Sequence, residues 1–334
     1  MRFHKCLAIA VVWLDLHSGI AQSFPVARVS KQPTAESEFS NLRRKAETGD
    51  IAAQYMLGNV YVNGSSVPRN YRAAARWYSA AAAQASASAQ FMLGYLFEHG
   101  LGVSQDYAEA AQYYRAAAVQ GHVIAANNLA GLYQHGRGVR KDVDQAVEWY
   151  RASSEHGDSI AQCNLASMYL LGRDVPRNYN EAARWLRAAA EQGFAVAENN
   201  LAFMYYTGLG VPRDYDQAAE WTRRAAEQGY VIAKTDLGYL YEQGKGVPLD
   251  YVSAYMWYSL GAVGGDSRAS RQLKDLSKLM SRKQIADAKN RASSGAQQWG
   301  KITDFPGVEM SGTSFIPSHR EFQPGPFVIQ LAVP

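Results

Sequence analysis

The chain has 334 residues, a formal net charge of +4 and two cysteines, Cys6 and Cys163. So small a charge argues against a protein that binds nucleic acid through clustered lysines and arginines. Abundant alanine and scarce β-branched residues favour helices over strands, because alanine loses the least free energy on entering a helix. We therefore expect an all-α protein that binds no nucleic acid.

The first 21 residues have the pattern of a secretory signal peptide. Arg2 and Lys5 precede an apolar run over residues 6–14, and small residues at 19–21 offer a cleavage site. The apolar run is too short to span a bilayer, which needs about 20 such residues. We predict a protein exported to the periplasm or the medium, without stable membrane insertion, in which Cys163 is the single remaining thiol. If residues 1–21 are not a signal, the protein stays in the cytoplasm.

Residues 22–38 show no periodicity and are predicted to be a linker. Residues 39–49 follow, and they match the second helix of the repeat described below, displaced by one period. They are predicted to form an N-terminal capping half-repeat.

A 36-residue repeat occupies the middle of the chain, and its register never slips. The conserved spacing joins four columns of residues that begin at Ala53, Leu57, Gly64 and Val67 and recur every 36 positions through the sixth unit. A fixed period of this length is typical of a solenoid. The six units are 50–85, 86–121, 122–157, 158–193, 194–229 and 230–265.

Each unit is predicted to be a hairpin of two helices, as residues 194–229 show. Leu201 and Met204 lie on the apolar stripe of the first helix, which Gly208 ends, because glycine adopts the left-handed conformation that closes a helix. Pro212 cannot continue a helix interior, and Asp214 with Gln217 forms a capping box for the second helix. Corresponding N-caps are expected at Asn70, Asp106, Asp142 and Asn178.

The second helices carry an aromatic column that is expected to fill much of each hairpin interface, because a buried ring removes roughly 150–250 Å² from water. Its members are Trp77, Tyr113, Trp149, Trp185, Trp221 and Trp257. Residues 266–294 are predicted to be C-terminal capping helices, with Ser281 and Gln284 capping the last one. Residues 295–334 are proline-rich and aperiodic, which predicts an irregular or disordered tail.

The repeating motif, Ala-x3-Leu-x3-Tyr-x2-Gly-x-Gly-Val-x2-Asp-Tyr-x2-Ala-x2-Trp-Tyr, resembles the Sel1-like repeat, a relative of the tetratricopeptide repeat. The resemblance covers residues 50–265 and implies a right-handed superhelix whose concave face is lined by the first helices. It also implies an adaptor role. Ser66 and Asp174 depart from the pattern at the second turn glycine, where we expect local strain. A single Cys163 excludes the cysteine-rich branch of the family.

No catalytic constellation, cofactor motif or metal site emerges from the sequence, so we expect a non-enzyme without cofactors. His99 and His135 share one repeat position, but adjacent repeats are too far apart for both to reach one ion at about 2.1 Å. Cys163 is interpreted as a small packing residue rather than a reactive thiol.

An asparagine column is the candidate binding site. Asn128, Asn164 and Asn200 lie 36 residues apart in the first helices, and Asn127 and Asn199 precede two of them. Amide side chains both donate and accept hydrogen bonds, which suits holding the backbone of an extended peptide. The alternative is that each asparagine bonds a neighbouring helix and ties the repeats together.

The sequence thus predicts a monomeric, non-catalytic adaptor that holds a peptide or protein segment in the concave groove of the superhelix. The alternative function is an enzyme, or an enzyme regulator, that acts on cell-wall peptides such as those related to peptidoglycan or β-lactams.

Overall fold

The computed structural model describes residues 35–298, which form helices and no strand, and describes side chains over 37–295. The predicted signal segment, most of the predicted linker and all but the first residues of the predicted tail lie outside the described residues. Among residues 35–298, no helix combines the length and apolar character needed to cross a bilayer.

The helices of this part, in chain order, are α1 (Ala35–Glu47), α2 (Ile51–Asn63), α3 (Tyr71–Ala82), α4 (Ala87–His99), α5 (Tyr107–Val119), α6 (Val123–His135), α7 (Val143–Glu155), α8 (Ser159–Leu171), α9 (Tyr179–Glu191), α10 (Ala195–Thr207), α11 (Tyr215–Glu227), α12 (Val231–Gln243), α13 (Tyr251–Val263), α14 (Ser267–Leu276) and α15 (Arg282–Gln298). The even-numbered helices α2 to α12 are the first helices of the six repeats, here called A helices. The odd-numbered helices α3 to α13 are the second, or B, helices.

Each A helix packs against the B helix of its own repeat, and each B helix packs against the A helix of the next repeat. Because one hairpin cannot bury its own apolar stripe, this stacking produces a continuous core. The all-α solenoid is therefore confirmed. The helix α1 covers the first A helix, whereas α14 and α15 both pack on α13.

The predicted helix ends are confirmed. In repeat 5 the Asp214 carboxylate accepts hydrogen bonds from the backbone N–H groups of Asp216 and Gln217, each at 3.0 Å. Gly208, with φ of 77°, closes the preceding A helix. Asn70, Asp106, Asp142 and Asn178 cap their B helices in the same way.

The second glycine of the turn is required by a close approach between repeats. A Cβ added to Gly102 would lie 2.3 Å from the backbone carbonyl carbon of Tyr71, at the start of the preceding B helix. Ser66 and Asp174, which replace this glycine in repeats 1 and 4, have negative φ. Their turns follow a different backbone path and avoid the left-handed strain that we expected there.

The most buried aromatic column is one residue later than predicted. Tyr78, Tyr114, Tyr150 and Tyr258 are fully buried, whereas of the predicted column only Trp185 and Trp257 are buried. Tyr78 shares its stripe with Ala74 and Ala81, four residues before and three after, so it points into the hairpin. The prediction was based on repeat 5, where the tyrosine column is not visible because Thr222 occupies that position.

The C-terminal cap begins as predicted, with the Ser281 hydroxyl accepting from the Gln284 N–H at 3.3 Å. It continues to Gln298, past the predicted boundary at residue 294. Ile285, Ala288 and Ala292 lie three or four residues apart on one stripe and pack on α13.

Candidate partner-binding face

One side of each A helix lies opposite the stripe that is most buried against the B helices, and we call it the A-helix face. Its edge still contacts the B helix of the same repeat, since the Tyr78 hydroxyl donates to Asn59 Oδ1 at 2.6 Å. The face consists of the second, fifth, sixth and ninth residues of each A helix, which helical periodicity places on one side. In repeat 1 these are Ala52, Tyr55, Met56 and Asn59. The predicted asparagines occupy the fifth and sixth positions in repeats 3 to 5.

The structure places four of the five predicted asparagines in the interior. The exposed fractions are 3% for Asn127, 5% for Asn164, 0% for Asn199 and 1% for Asn200, whereas Asn128 is partly exposed. Asn164 Nδ2 donates to Asn127 Oδ1 at 3.1 Å across the boundary of repeats 3 and 4. Asn127 Nδ2 donates to Asn128 Oδ1 at 3.2 Å. These three amides form a chain that ties α6 to α8, and Asn128 is its accessible end.

Exposure at the sixth position falls along the solenoid. Met56 is 54% exposed, Asn164 is 5% exposed and Asp236 is fully buried at the same repeat position. The helices α8 and α10 also contact each other directly, so the A helices approach closely in the second half. The accessible part of the A-helix face therefore lies in repeats 1 to 3.

This accessible part is apolar, and the asparagine-based prediction missed it. Met56 and Ile124 are more than half exposed, at 54% and 52%. Phe91, Met92 and Tyr95 lie between them on α4 and are partly exposed. The signal was available in the sequence, since Met92 and Met56 occupy the same column as Asn128, one and two repeats earlier, respectively.

Aromatic stacking fixes the rings of this apolar surface. Phe91 stacks on His122 with centroids 4.5 Å apart, and Tyr95 stacks on His99 at 4.1 Å. His122 Nδ1 accepts from the Ala125 N–H at 3.2 Å, and burial lowers the pKa of this imidazole. A neutral His122 is thus both the N-cap of α6 and the platform for Phe91.

Beside the A-helix face, the second half of the solenoid buries charged side chains. In repeat 5, Glu198 is fully buried, accepts from Gln228 Nε2 at 2.6 Å and lies 3.1 Å from Arg224 Nε. Burial raises the pKa of Glu198 to about 7, against the opposing effect of Arg224. This carboxyl group therefore titrates near neutral pH.

In repeat 6, Asp236 Oδ1 pairs with Arg268 Nη1 at 3.1 Å, and Arg268 Nη2 contacts Asp266 Oδ2 at 2.7 Å. Burial raises the pKa of Asp236, although the adjacent Arg268 opposes this shift. Such a buried pair anchors α14 to α12, because loss of one partner would leave an uncompensated charge.

A glutamine ladder, which the sequence prediction also missed, explains the position of Glu198. The side-chain N–H groups of Gln54, Gln90 and Gln162 donate to backbone carbonyls eight residues earlier, at the end of the preceding helix. Each also accepts from a glutamine thirty residues later in its own repeat. Glu198 occupies the same column and keeps the acceptor half of the role.

The remaining candidates show no chemistry beyond packing. His99 and His135 bond the carbonyls of Tyr95 and Gly131 in their own helices, at 3.0 and 2.9 Å. Cys163 is fully buried, and burial raises the pKa of its thiol. Within residues 35–298, no three histidine, cysteine or carboxylate side chains group as metal ligands.

Comparison with known families identifies the repeat. The Sel1 repeat model matches residues 51–86, 87–122, 123–158, 159–194, 195–230 and 231–266. The chain belongs to the Sel1 repeat family. Each matched repeat begins one residue after our predicted boundary. Proteins built of Sel1 repeats are generally non-catalytic scaffolds for protein interaction.

Solved structures of Sel1 repeat proteins show the same fold. One is c5321 of uropathogenic Escherichia coli, described as a protective antigen, with 33% identity and a TM-score of 0.73 over 80% of this chain. This chain spans 57% of that protein's length. Another, from Oxalobacter formigenes, has 31% identity and a TM-score of 0.59, covering 68% of this chain and 92% of its own. No curated protein matches the sequence.

Proposed function

We propose that this Sel1 repeat protein is an adaptor that binds a segment of a partner protein along its A-helix face, in the concave groove that the family resemblance implies. The observation that carries the proposal is the accessible apolar surface of repeats 1 to 3, where Met56 and Ile124 are more than half exposed. Apolar patches that remain exposed on a folded protein typically mark interaction sites.

The asparagine column divides into two roles in this proposal. Asn128 is partly exposed beside Met92 and Ile124, so its amide can bond the backbone of a bound segment. The buried Asn127 and Asn164 tie α6 to α8 beneath it, and Asn199 and Asn200 are buried in α10. Partner contact therefore depends directly on Asn128 and only indirectly on the other four.

Crosslinking followed by pull-down from native cells tests this assignment. We expect Met56→Asp and Ile124→Asp each to reduce the crosslinked partner at least fivefold, because a carboxylate there opposes burial of apolar surface. Asn128→Ala should cause a smaller loss. The matched control is Leu249→Asp, since Leu249 is 60% exposed in a turn. The proposal would be contradicted if Leu249→Asp lost as much crosslinked partner as the test variants. It would also be contradicted if both test variants kept the partner while their circular dichroism was unchanged.

Export is a separate proposal, supported by the pattern of residues 1–21 alone. A fusion of residues 1–30 to a reporter that is active only outside the cytoplasm should give activity. Replacing Val11 and Leu14 by aspartate in the same fusion should abolish it. If the unsubstituted fusion gives no reporter activity, the export proposal is wrong and the protein is cytoplasmic.

A further inference from the structure

A second surface lies on the B helices, away from the A-helix face. A cleft of about 470 Å³ runs along α5 and is bounded at one end by the turn at Gly138 and Val139. Along α5 it is lined by a single helical stripe from Ala108 to Val119, and Val119 is 72% exposed. Arg115 is the one charged residue among its lining residues.

The other repeats show that this stripe is unusual. Three of its positions are Ala108, Gln112 and Val119 in repeat 2. In repeats 3 to 5 they carry Asp144, Glu148, Glu155, Asn180, Arg184, Glu191, Asp216, Glu220 and Glu227. Charged side chains at these positions favour contact with water in repeats 3 to 5. Repeat 2 has the same two-helix structure but carries uncharged side chains at the three positions.

Repeat 6 shows what covers a stripe without charges. The equivalent positions there are Val252, Met256 and Val263, and α15 packs on the helix that carries them. The cover is partial, because Val263 at the end of the stripe remains 77% exposed. Met256 is 9% exposed and clusters with Ala292 of α15. The cap helix thus uses small and medium apolar side chains, with Ile285 and Ala288 in the same stripe, to cover a B helix.

Arg115 distinguishes the open stripe from the covered one, which has Ser259 at the same position. The Arg115 guanidinium lies 5.4 Å from the centroid of the Tyr133 ring, which orients it at the edge of the cleft. A guanidinium at the border of an apolar cleft matches a carboxylate, because the fork geometry of arginine suits bidentate bonding.

We propose that the cleft along α5 binds an amphipathic helix of a partner protein, one that presents a stripe of small apolar side chains like that of α15 and a carboxylate that pairs with Arg115. Helix-in-groove docking is a recurrent mode of partner recognition. The site is independent of the A-helix face, so one adaptor chain holds two segments at once.

A peptide derived from α15 provides the probe. The acidic probe is residues 282–295 with Arg282, Lys283, Lys289 and Arg291 replaced by glutamate, and the basic probe is the unchanged sequence. Fluorescence anisotropy with the full chain should show the acidic probe binding at least tenfold more tightly than the basic probe. Arg115→Glu and Val119→Glu should each weaken the acidic probe at least tenfold.

Two controls make the result decisive. Arg151 occupies the same column in repeat 3 and bonds the Tyr169 hydroxyl at 3.0 Å, but it lies beside charged positions. Arg151→Glu and Met56→Asp should leave binding of the acidic probe unchanged, even if Met56→Asp abolishes partner capture on the A-helix face. Three results would overturn the proposal. The two probes could bind equally, Arg115→Glu and Arg151→Glu could weaken binding equally, or the probe could bind by displacing α15 from α13. Self-association lost in Arg115→Glu, measured by sedimentation without probe, would identify a second copy of this chain as the occupant and overturn it too.

Discussion

Ala85 is the one non-glycine residue of residues 35–298 in the left-handed region, with φ of 62°. The same column holds glycines at the ends of the other B helices and of α1, with φ of 82–98°. A Cβ costs roughly 1–2 kcal/mol in this conformation, partly offset because glycine gains more entropy on unfolding. We expect Ala85→Gly to stabilise the protein by about 0.5–1 kcal/mol, measured from the urea-unfolding midpoint.

Gly121 provides the matched control for this prediction. A Cβ added to Gly121 meets nothing within 4 Å, so only backbone strain opposes Gly121→Ala. That substitution should destabilise the protein by about 1 kcal/mol. The same sign of effect for both substitutions would show that backbone conformation does not govern this column.

Glu198 gives a pH dependence with a defined sign. Its pKa is about 7 in the folded chain against an ordinary value of 4.5, so the folded state binds more protons between these limits. Stability that depends on this proton is therefore complete below about pH 4.5 and is lost as the pH rises to about 7. We expect Glu198→Gln to flatten the unfolding free energy over this window and to stabilise the protein at pH 8 by on the order of 1 kcal/mol.

The control for the pH profile is Glu220→Gln, because Glu220 is exposed and forms a surface pair with Arg223. Its profile should follow that of the unsubstituted chain. Unchanged slopes in Glu198→Gln would mean that Arg224 and Gln228 hold the ionised carboxylate without cost at neutral pH.

At the scale of helix pairs, a glycine of the A helix faces a buried tyrosine of the B helix in repeats 1, 2 and 6, whereas repeat 3 has Ala130 in that column with Tyr150. Gly94 of α4 faces the Tyr114 ring, and an added Cβ would lie 2.8 Å from Tyr114 Cδ1 and 3.3 Å from the Ala110 carbonyl oxygen. Tyr114 is fully buried, and its hydroxyl donates to Glu98 Oε2 at 2.6 Å, so the ring has little room to shift. Gly94→Ala should therefore cost about 1–3 kcal/mol by overpacking.

Repeat 4 shows the compensating solution, with Ala166 and Leu186 in the same two columns. Combining Gly94→Ala with Tyr114→Leu should recover part of the loss, giving a coupling energy of at least about 1 kcal/mol in a double-mutant cycle. Additive effects would show that the two side chains do not share one packing space.

Helix limits were predictable because glycines, prolines and caps recur in fixed columns, as at Gly208, Pro212 and Asp214. Which residues of the A-helix face are buried was not predictable from the sequence. Asn128 and Asn164 occupy the same column with similar neighbours in sequence, yet one is partly exposed and the other is 5% exposed. The difference depends on how closely successive A helices approach, which a periodic pattern does not encode. The cleft along α5 likewise depends on which stripes a later helix covers.

For the whole molecule, a solenoid couples each repeat chiefly to its neighbours, so damage at one end should remain local. Ala288 of α15 is fully buried against α13, whereas Ala286 is exposed on the same helix. We expect Ala288→Asp to detach α15, because an unpaired carboxylate cannot remain buried there. Hydrogen exchange should then accelerate at least tenfold in α13 and α15 while α2 to α5 keep their protection. Ala286→Asp should change neither end, and a uniform loss of protection in Ala288→Asp would instead show that the six repeats unfold as one cooperative unit.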